Sequence, residues 1–148
     1  MTGRVANKKA RLTWEISEKL EAGIELLGFE VKALKGGSGS LEGAFVGVRG
    51  GEAFLIGANI PPYQMGNTPA TYEPTRPRRL LMTRAEIERL LGIESRKGET
   101  LVPLALFVKG NLIKLEIGVG RHKKKHDKRA SLKSRESSRE MERAMKDR

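Results

Sequence analysis

The sequence predicts a mainly β fold with short helices, of the α+β class, arranged as one small closed antiparallel barrel. Several short stretches are apolar-rich or alternate in polarity, glycine-containing turns join two pairs of them, and only two or three short segments have a helical pattern. The chain has 148 residues and an apolar fraction of 38%, which is enough for one small core. Because five or six strands with two or three helices are typical of oligonucleotide-binding folds, we expect a barrel of that type over residues 11–120.

The N-terminal part predicts an arm, two strands and a short helix. Residues 1–10 are polar and basic, which predicts a flexible arm. Polarity alternates along Arg11–Ile16, as in a strand with one buried face. Ser17 can cap a short helix over Glu18–Ala22. Ile24–Leu34 is mostly strand-like, and the glycine within it marks a bulge or a bend.

The middle of the chain predicts a hairpin between two loops. Residues 36–40 are glycine and serine and predict a loop. Ala44–Arg49 and Glu52–Ile60 predict two strands, and the glycine pair between them supplies the positive φ values of a tight turn. The proline-rich segment 61–77 predicts a long surface connection, after which Arg79–Met82 predicts a short strand.

A helix is predicted next because its start has a capping signal. Thr83 and Glu86 have the spacing of a capping box, in which each side chain accepts a hydrogen bond from a free backbone N–H. We expect Gly98 to end the helix. One apolar stripe should face the core, formed by Ile87, Leu90 and Leu91.

The last two strand-like stretches predict a second hairpin. Thr100–Val108 and Leu112–Val119 are rich in apolar residues, and Lys109–Asn111 between them contains the glycine that a tight turn needs. The folded domain should therefore end near residue 120.

Beyond the domain the chain is strongly basic. Residues 121–148 carry +7 of the formal net charge of +11 and contain few large apolar side chains. A segment of this composition cannot offset its ordering entropy by packing on itself, so we expect it to be disordered alone and to gain structure on a target. Its charge indicates a polyanionic partner such as nucleic acid.

Composition excludes several other classes of protein. The chain has no cysteine, so it has neither disulfides nor a thiol nucleophile. We find no secretory signal and no apolar run near the roughly 20 residues of a membrane span, and therefore expect a soluble, cytoplasmic protein without a membrane partner.

No motif indicates catalysis, a cofactor or a metal. The glycine-rich segment 37–43 lacks the lysine of a phosphate-binding P-loop and precedes a strand. His122 and His126 have helical i, i+4 spacing, but the surrounding lysines disfavour a divalent cation, which leaves solvated tail residues or stacking on RNA bases. We predict that the protein is not an enzyme and binds no cofactor or metal.

Arginines cluster where the long connection meets the next strand, over Arg76–Arg79. Guanidinium groups at a barrel rim can form forked contacts with phosphates. The alternative is a solvated loop that keeps an edge strand from pairing.

Eight strings along the chain match the pattern of one known family. The strings are Asn7–Arg11, Glu21–Ile24, Gly28–Leu34, Gly57–Ile60, Pro74–Leu81, Leu101–Leu104, Lys114–Val119 and His126–Arg129. They keep the same order over roughly residues 7–146 and together are highly specific. The chain therefore resembles the family of tmRNA-binding small protein B, also called SsrA-binding proteins.

The resemblance implies an oligonucleotide-binding barrel that holds the tRNA-like domain of tmRNA and delivers it to stalled ribosomes in trans-translation. Glu21 matches a family acid implicated in tmRNA binding, and Leu81 matches a leucine near the same surface. Two residues later Thr83 stands where the family usually has Asn or His. The basic groups Lys32, Arg78 and Arg79 complete the expected tmRNA-binding set. Glu21 could instead only cap or solvate the predicted short helix over Glu18–Ala22.

Two further segments depart from the family pattern. Leu12–Trp14 replaces the usual His-Asp-Tyr, and His122 stands where the tail motif is usually preceded by glycine.

For residues 121–148 the resemblance implies a tail that enters the vacant decoding site and mRNA channel and becomes helical there, in contact chiefly with small-subunit ribosomal RNA. Arg135, Arg139 and Arg143 would form one basic stripe on such a helix. We expect the protein to be monomeric when it is bound to tmRNA. The predicted ribosome-binding residues of the tail are these three together with Arg121, Lys123, Lys124, Lys125, His126, Asp127, Lys128 and Arg129.

Two alternatives from other classes stay open. One is a generic single-stranded-RNA-binding or ribosomal β-barrel protein with a basic extension, although the scarcity of aromatic residues argues against several stacking platforms. The other is an RNA-cleaving enzyme with a carboxylate-held metal, for which we find no cluster of acids.

Overall fold

The computed structural model describes residues 4–63, 66 and 68–123. Within these residues the chain forms seven strands and three helices. In chain order they are β1 (Arg4–Ala6), α1 (Ala10–Thr13), β2 (Trp14–Ile24), α2 (Gly28–Lys35), β3 (Phe45–Arg49), β4 (Glu52–Ile56), β5 (Arg78–Leu81), α3 (Arg84–Glu94), β6 (Glu99–Lys109) and β7 (Leu112–His122).

The strands form one antiparallel sheet in the order β1-β6-β7-β2-β5-β4-β3. This confirms a mainly β fold of the α+β class. The sheet curves so that β3 packs against β6, but no ladder between named strands joins the edge strands β1 and β3 in the described part of the chain. The hydrogen-bonded sheet is therefore open rather than the closed barrel that the sequence predicts.

One face of the curved sheet and the two longer helices enclose the main core. Alternate residues of the strands point inward, as the period of two requires. Helix α3 contributes Leu90 and Ile93, and α2 contributes Ala33 and Leu34. The inward-facing strand residues include Val5, Ala22, Ile24, Leu80, Leu106, Ile113, Leu115 and Ile117.

A second, smaller apolar cluster lies on the opposite face of the sheet. Ala10 of α1 packs there with Val102 and Leu104 of β6, and Trp14 partly covers them. Gly118 lies beneath, where an added Cβ would approach the Leu104 Cδ1 atom to 2.9 Å. The absence of a side chain at Gly118 therefore lets this cluster seat α1 against the sheet.

The predicted N-terminal arm is partly a strand. Residues 4–6 pair with β6, where Val5 lies opposite Leu106 and is buried in the core. The predicted strand Arg11–Ile16 is likewise divided, because α1 extends to Thr13 and β2 begins at Trp14. Tertiary packing of Val5 and Ala10 overrides the local polarity in both places.

The predicted helix over Glu18–Ala22 is wrong, since these residues lie in the middle of β2. The register with β7 shifts between Ile16 and Glu18, which marks a bulge at Ser17. The Ser17 hydroxyl donates to the carbonyl of Val119 at 3.3 Å instead of capping a helix.

The predicted strand Ile24–Leu34 is also wrong, because β2 ends at Ile24 and α2 begins at Gly28. Glu30, the third residue of α2, accepts a hydrogen bond from the Leu27 N–H at 2.8 Å. This bond satisfies a backbone N–H that has no partner within the first turn of the helix. The rest of the Glu30 carboxylate is used in tertiary contacts that no local pattern reveals.

Both predicted hairpin turns are confirmed. Gly50 and Gly51 connect β3 and β4 with φ values of 59° and 79°, and Gly110 connects β6 and β7 with a φ of 65°. These left-handed values are accessible to glycine at little cost, which explains why the turns are readable from sequence.

The capping box of α3 is confirmed. The Thr83 hydroxyl accepts from the Glu86 N–H at 3.2 Å, and the Glu86 carboxylate accepts from the Thr83 N–H at 2.8 Å. The apolar stripe differs from the prediction, since Leu91 is half exposed while Ile93 is buried. Gly98 does not end the helix, which stops at Glu94, but forms the turn into β6 with a φ of 85°.

A buried ionic network fixes the long connection between β4 and β5. Glu30 of α2 and Arg78 of β5 are both fully buried, and the Arg78 Nη2 atom lies 2.7 Å from the carboxylate. Arg76 binds the same carboxylate at 2.5 Å, and the Tyr72 hydroxyl donates to it at 2.8 Å. The connection is therefore held to α2 by three side chains.

The network lowers the pKa of Glu30. Burial alone would raise the pKa of this carboxyl group, but hydrogen bonds from Arg76, the Leu27 N–H, Arg78 and Tyr72 outweigh burial and lower it from 4.5 to about 2. Burial and the neighbouring Glu30 carboxylate raise the pKa of Tyr72 to about 12. Both shifts favour an ionised Glu30 beside a neutral Tyr72.

The first prediction concerns the pH dependence of stability. Because the pKa of Glu30 is lower in the folded chain than in the unfolded chain, its contribution is complete above pH 4.5 and is lost as pH falls toward about 2. The shift corresponds to about 3 kcal/mol of the free energy of unfolding. Denaturant titrations across this pH range measure it.

Glu30→Gln should lower the free energy of unfolding at neutral pH by about 3–5 kcal/mol, since two arginines lose their buried counter-charge, and should flatten the acid dependence. Glu42→Gln is the control because its partner Lys9 lies at a similar distance, 2.9 Å, in an exposed pair. An unchanged acid dependence in Glu30→Gln would contradict the prediction.

Candidate nucleic-acid interface

Glu21 lies on the outer face of the sheet, in the second half of β2. Its neighbours Leu20 and Ala22 pack on the core, so the Glu21 side chain points the other way. The Nζ atom of Lys109 lies 3.0 Å from its carboxylate, with both side chains exposed. Glu21 is thus an accessible acid with one cationic neighbour, Lys109. The residues next to Glu21 in sequence do not indicate this ion pair.

Leu81 lies on the same face, at the end of β5. It pairs with Gly23, two residues along β2 from Glu21, and is 49% exposed. A Cβ added at Gly23 would lie 3.3 Å from the Leu81 Cβ atom, so the glycine leaves Leu81 room beside the strand. The structure therefore brings the two residues of the family resemblance, Glu21 and Leu81, onto one surface.

An open apolar groove adjoins Leu81. Its lining includes Leu26, Leu112 and Lys114, and Leu112 is 61% exposed. Leu112, Lys109 and Lys114 were not predicted as site residues from the sequence. The register of the β6–β7 hairpin was the signal that could have placed them beside Glu21.

Lys32 lies on a separate element, the exposed side of α2. Its Nζ atom lies 6.0 Å from the centroid of the Tyr63 ring, at the limit of a cation–π contact. No described contact joins Lys32 to Glu21 or Leu81, and its contact with RNA stays a prediction.

The structure corrects the prediction for Arg78. Its guanidinium is fully buried and donates to the Glu30 carboxylate and to the carbonyls of Ala58, Pro74 and Arg76. With these donors satisfied inside the protein, Arg78 positions β5 rather than offering a fork to a phosphate.

Arg79 points to the outside but is held between two acids. Its guanidinium lies 3.2 Å from Glu25 and 3.1 Å from Glu52, and the hydrogen bond to Glu25 contributes most to raising its pKa. The local charge is therefore compensated, and an RNA contact of Arg79, which stays a prediction, would require exchange of one partner.

Thr83 begins α3 two residues after Leu81. Both the Thr83 hydroxyl and its N–H are used in the capping box with Glu86. Its predicted contact with tmRNA remains a prediction beside this confirmed capping role.

The first residues of the basic tail are part of the fold. Arg121 and His122 belong to β7, and the His122 ring contacts Trp14 edge-to-face at 5.0 Å between centroids. The Lys123 N–H donates to Thr13 and its Nζ atom lies 2.6 Å from the carbonyl of Arg11. Two segments that depart from the family pattern therefore meet in space and fix the start of the tail.

The other predicted tail residues lie outside the described residues. They are Lys124, Lys125, His126, Asp127, Lys128, Arg129, Arg135, Arg139 and Arg143.

Other kinds of site are absent from the described part of the chain. No group of three or more His, Asp or Glu side chains there could hold a metal ion. None of the helices described above is long and apolar enough to cross a membrane.

Comparison with known proteins identifies the family. The model of the SmpB protein family matches residues 4–147. The SsrA-binding protein of Microcystis aeruginosa is 48% identical over 140 residues, which cover 95% of this chain and 91% of the relative. That of Syntrophotalea carbinolica is 48% identical over 142 residues, which cover 96% and 94%.

A solved structure agrees with this result. A chain from a structure described as "tmRNA-SmpB: a journey to the center of the bacterial ribosome" matches with a TM-score of 0.69 and 39% identity, over 83% of this chain and 86% of that chain. These matches confirm the resemblance seen in the sequence: the chain belongs to the SmpB family of SsrA-binding proteins.

Proposed function

We propose that the protein binds tmRNA through its tRNA-like domain and delivers it to stalled ribosomes in trans-translation. Family membership and the likeness to a tmRNA–SmpB structure support the two partners, tmRNA and the ribosome. One observation assigns the proposed tmRNA contact to particular residues: Glu21 and Leu81 share one outer surface of the sheet.

The folded body recognises a structured RNA mainly by shape and backbone. The exposed Glu21 carboxylate accepts from base amino groups or from 2′-hydroxyls, and Leu81 offers an apolar contact beside it. Lys32, Arg79 and Thr83 extend this contact as further proposed tmRNA-binding residues. The strongly curved sheet is consistent with an oligonucleotide-binding architecture whose strands β3 and β6 approach without a ladder.

The basic tail makes the second contact. Its last described residue is Lys123, which α1 holds through two backbone carbonyls. We propose that residues 124–148 enter the vacant decoding site and mRNA channel as a helix, in contact with small-subunit ribosomal RNA. A resident mRNA would occupy the same volume, so the tail senses an empty channel by steric competition.

We propose that the protein acts in the bacterial cytoplasm, since its ribosomal partner supports that location. The proposed role is to position tmRNA on the ribosome, and it requires no enzymatic step and no cofactor. A generic single-strand binder would instead need several exposed aromatic platforms. Among the described aromatic side chains only Phe45 and Tyr63 are widely exposed, which does not favour that alternative.

The second prediction tests the proposed function through selectivity. The full-length protein should bind tmRNA more tightly than bulk tRNA or an unstructured single strand, and the preference should persist when the salt concentration is raised, because shape recognition does not depend on counterion release. A gel-shift series with the three RNAs at two salt concentrations measures it. Equal and steeply salt-dependent binding to all three would favour the generic RNA binder.

The third prediction concerns the charge of Glu21. Glu21→Gln should weaken tmRNA binding by about tenfold, the equivalent of one charged hydrogen bond, while the melting temperature stays close to that of the original protein because exposed ion pairs contribute little. The matched control is Glu42→Gln, which breaks a similarly exposed pair with Lys9 elsewhere.

Lys109→Gln distinguishes two possible roles of Glu21, which are direct contact with RNA and fixing of the β6–β7 hairpin through Lys109. If Glu21 contacts RNA directly, loss of Lys109 leaves the carboxylate available and has a smaller effect on tmRNA affinity than Glu21→Gln. Equal effects of the two variants would indicate that the Glu21–Lys109 pair acts only by fixing the hairpin.

The fourth prediction concerns the tail. Deletion of residues 130–148 should leave tmRNA affinity within about threefold but abolish peptide tagging on stalled ribosomes, because the two contacts are made by different parts of the chain. Gel shifts and a tagging assay on the same preparation measure both. Loss of tight tmRNA binding together with the tail would contradict this division of roles.

A further inference from the structure

One row of residues crosses five neighbouring strands on the outer face of the sheet. Register places Arg4 of β1 opposite Phe107 of β6, Phe107 opposite Lys114 of β7, Lys114 opposite Gly23 of β2, and Gly23 opposite Leu81 of β5. We call these five residues the outer row. It begins at the Leu81 end of the proposed tmRNA surface and continues across the sheet to β1.

The orientation of the outer row follows from its neighbours. Side chains alternate between the faces of a strand, and the residues adjacent to the outer row are buried in the main core. These inward neighbours are Val5, Leu106, Leu115, Ala22, Ile24 and Leu80. The outer row therefore faces away from the core on every strand.

Phe107 is the unusual member of this row. It is partly exposed and packs against neither apolar cluster, although both adjoining residues of β6 are apolar and contact the core. Among the described residues, ring contacts join Trp14 to His122 and Phe29 to Tyr72, and the cation–π contact is at Tyr63. The Phe107 ring takes part in none of these contacts between described residues.

The cations around Phe107 form no ion pair with a described residue. Arg4 and Lys114 flank the ring, and an open groove of about 390 Å³ next to Arg4 adds Lys8, Arg11 and Lys19 against a single acid, Glu116. By contrast, Arg76, Arg78 and Arg79 are all paired with carboxylates.

We infer that the outer row is a platform for one unstacked nucleotide of the bound RNA, with the base on the Phe107 ring and the flanking phosphates on Lys114 and Arg4. An aromatic ring between two cations that form no ion pair with a described residue matches the chemistry of a nucleotide, which combines a π surface with anionic groups. Gly23 lacks a side chain and leaves space for Leu81, which lines an open groove together with Lys114. The inference rests on the proposed function and extends its site beyond Glu21 and Leu81.

A folded RNA can supply such a nucleotide from a loop. Bases in loops and bulges are unpaired and stack on aromatic side chains, whereas paired bases of an A-form helix cannot reach one. The outer row contains one aromatic residue, so it accommodates one base, in agreement with recognition that is otherwise based on shape and backbone.

The fifth prediction tests the platform with Phe107→Leu in the full-length protein. This change keeps most of the apolar volume but removes the π surface, so tmRNA affinity should fall by about tenfold while the dependence on salt is unchanged. Lys114→Gln should also weaken binding, and the slope of log affinity against log salt should become shallower by about 0.7, because the variant neutralises one phosphate fewer.

Two controls match these changes. Phe45→Leu removes a more exposed phenylalanine from β3, outside the outer row, and Lys97→Gln removes an exposed lysine beyond α3. Both should bind tmRNA like the original protein. Thermal melting of every variant separates a binding effect from a folding effect.

A photo-crosslinking benzophenone side chain in place of Phe107 gives a readout that does not depend on affinity. It should crosslink to tmRNA, while the same group in place of Phe45 should not.

The result that overturns the platform is a folded Phe107→Leu variant that binds tmRNA as tightly as Phe45→Leu, or a tmRNA complex without a crosslink from position 107. Both leave the tmRNA preference of the original protein, and so the proposed function, intact. If the original protein shows no preference for tmRNA, the proposed function fails and the ligand assigned to the platform fails with it.

Discussion

The buried carboxylate of Glu30 joins three parts of the chain that are far apart in sequence. It accepts from the start of its own helix α2, from Tyr72 in the long connection, and from Arg76 and Arg78 at the entry to β5. Through Arg78 it fixes where β5 begins, and β5 in turn places Leu81 against Gly23. The surface proposed to bind RNA therefore depends on a charge that never contacts RNA.

An ionic network suits the connection between β4 and β5 because this segment has few backbone N–H donors of its own. Segment 61–77 contains several prolines, which have no backbone N–H, and much of it lies outside regular structure. The Arg78 guanidinium supplies the missing donors to the carbonyls of Ala58, Pro74 and Arg76. Buried ion pairs contribute little net stability compared with apolar packing, but removal of one partner is costly. The network thus specifies one arrangement of the connection.

The features that could be predicted from sequence are those whose causes are local. The glycine turns and the Thr83–Glu86 capping box need only neighbouring residues, and both are confirmed. Ser17 and Arg78 were misinterpreted because their partners, Val119 and Glu30, are 102 and 48 residues away. From its sequence neighbours alone, a serine at this position indicates a helix cap, and an arginine in a basic loop indicates a surface cation. The family resemblance supplied Glu21 and Leu81, whereas Phe107 and Lys114 became visible only through strand register.

Pairing, rather than the number of cations, determines where the body of the protein can attract RNA. Arg79 is compensated by two acids, but Arg4, Lys8, Arg11 and Lys19 form no ion pair within the described residues and line one groove. Arg11 belongs to α1, whose carbonyls hold Lys123 at the start of the tail. The groove and Lys123, the last described residue, therefore both adjoin α1. Because attraction between charges falls off over about 8 Å in physiological salt, these cations attract RNA phosphates only close to the groove.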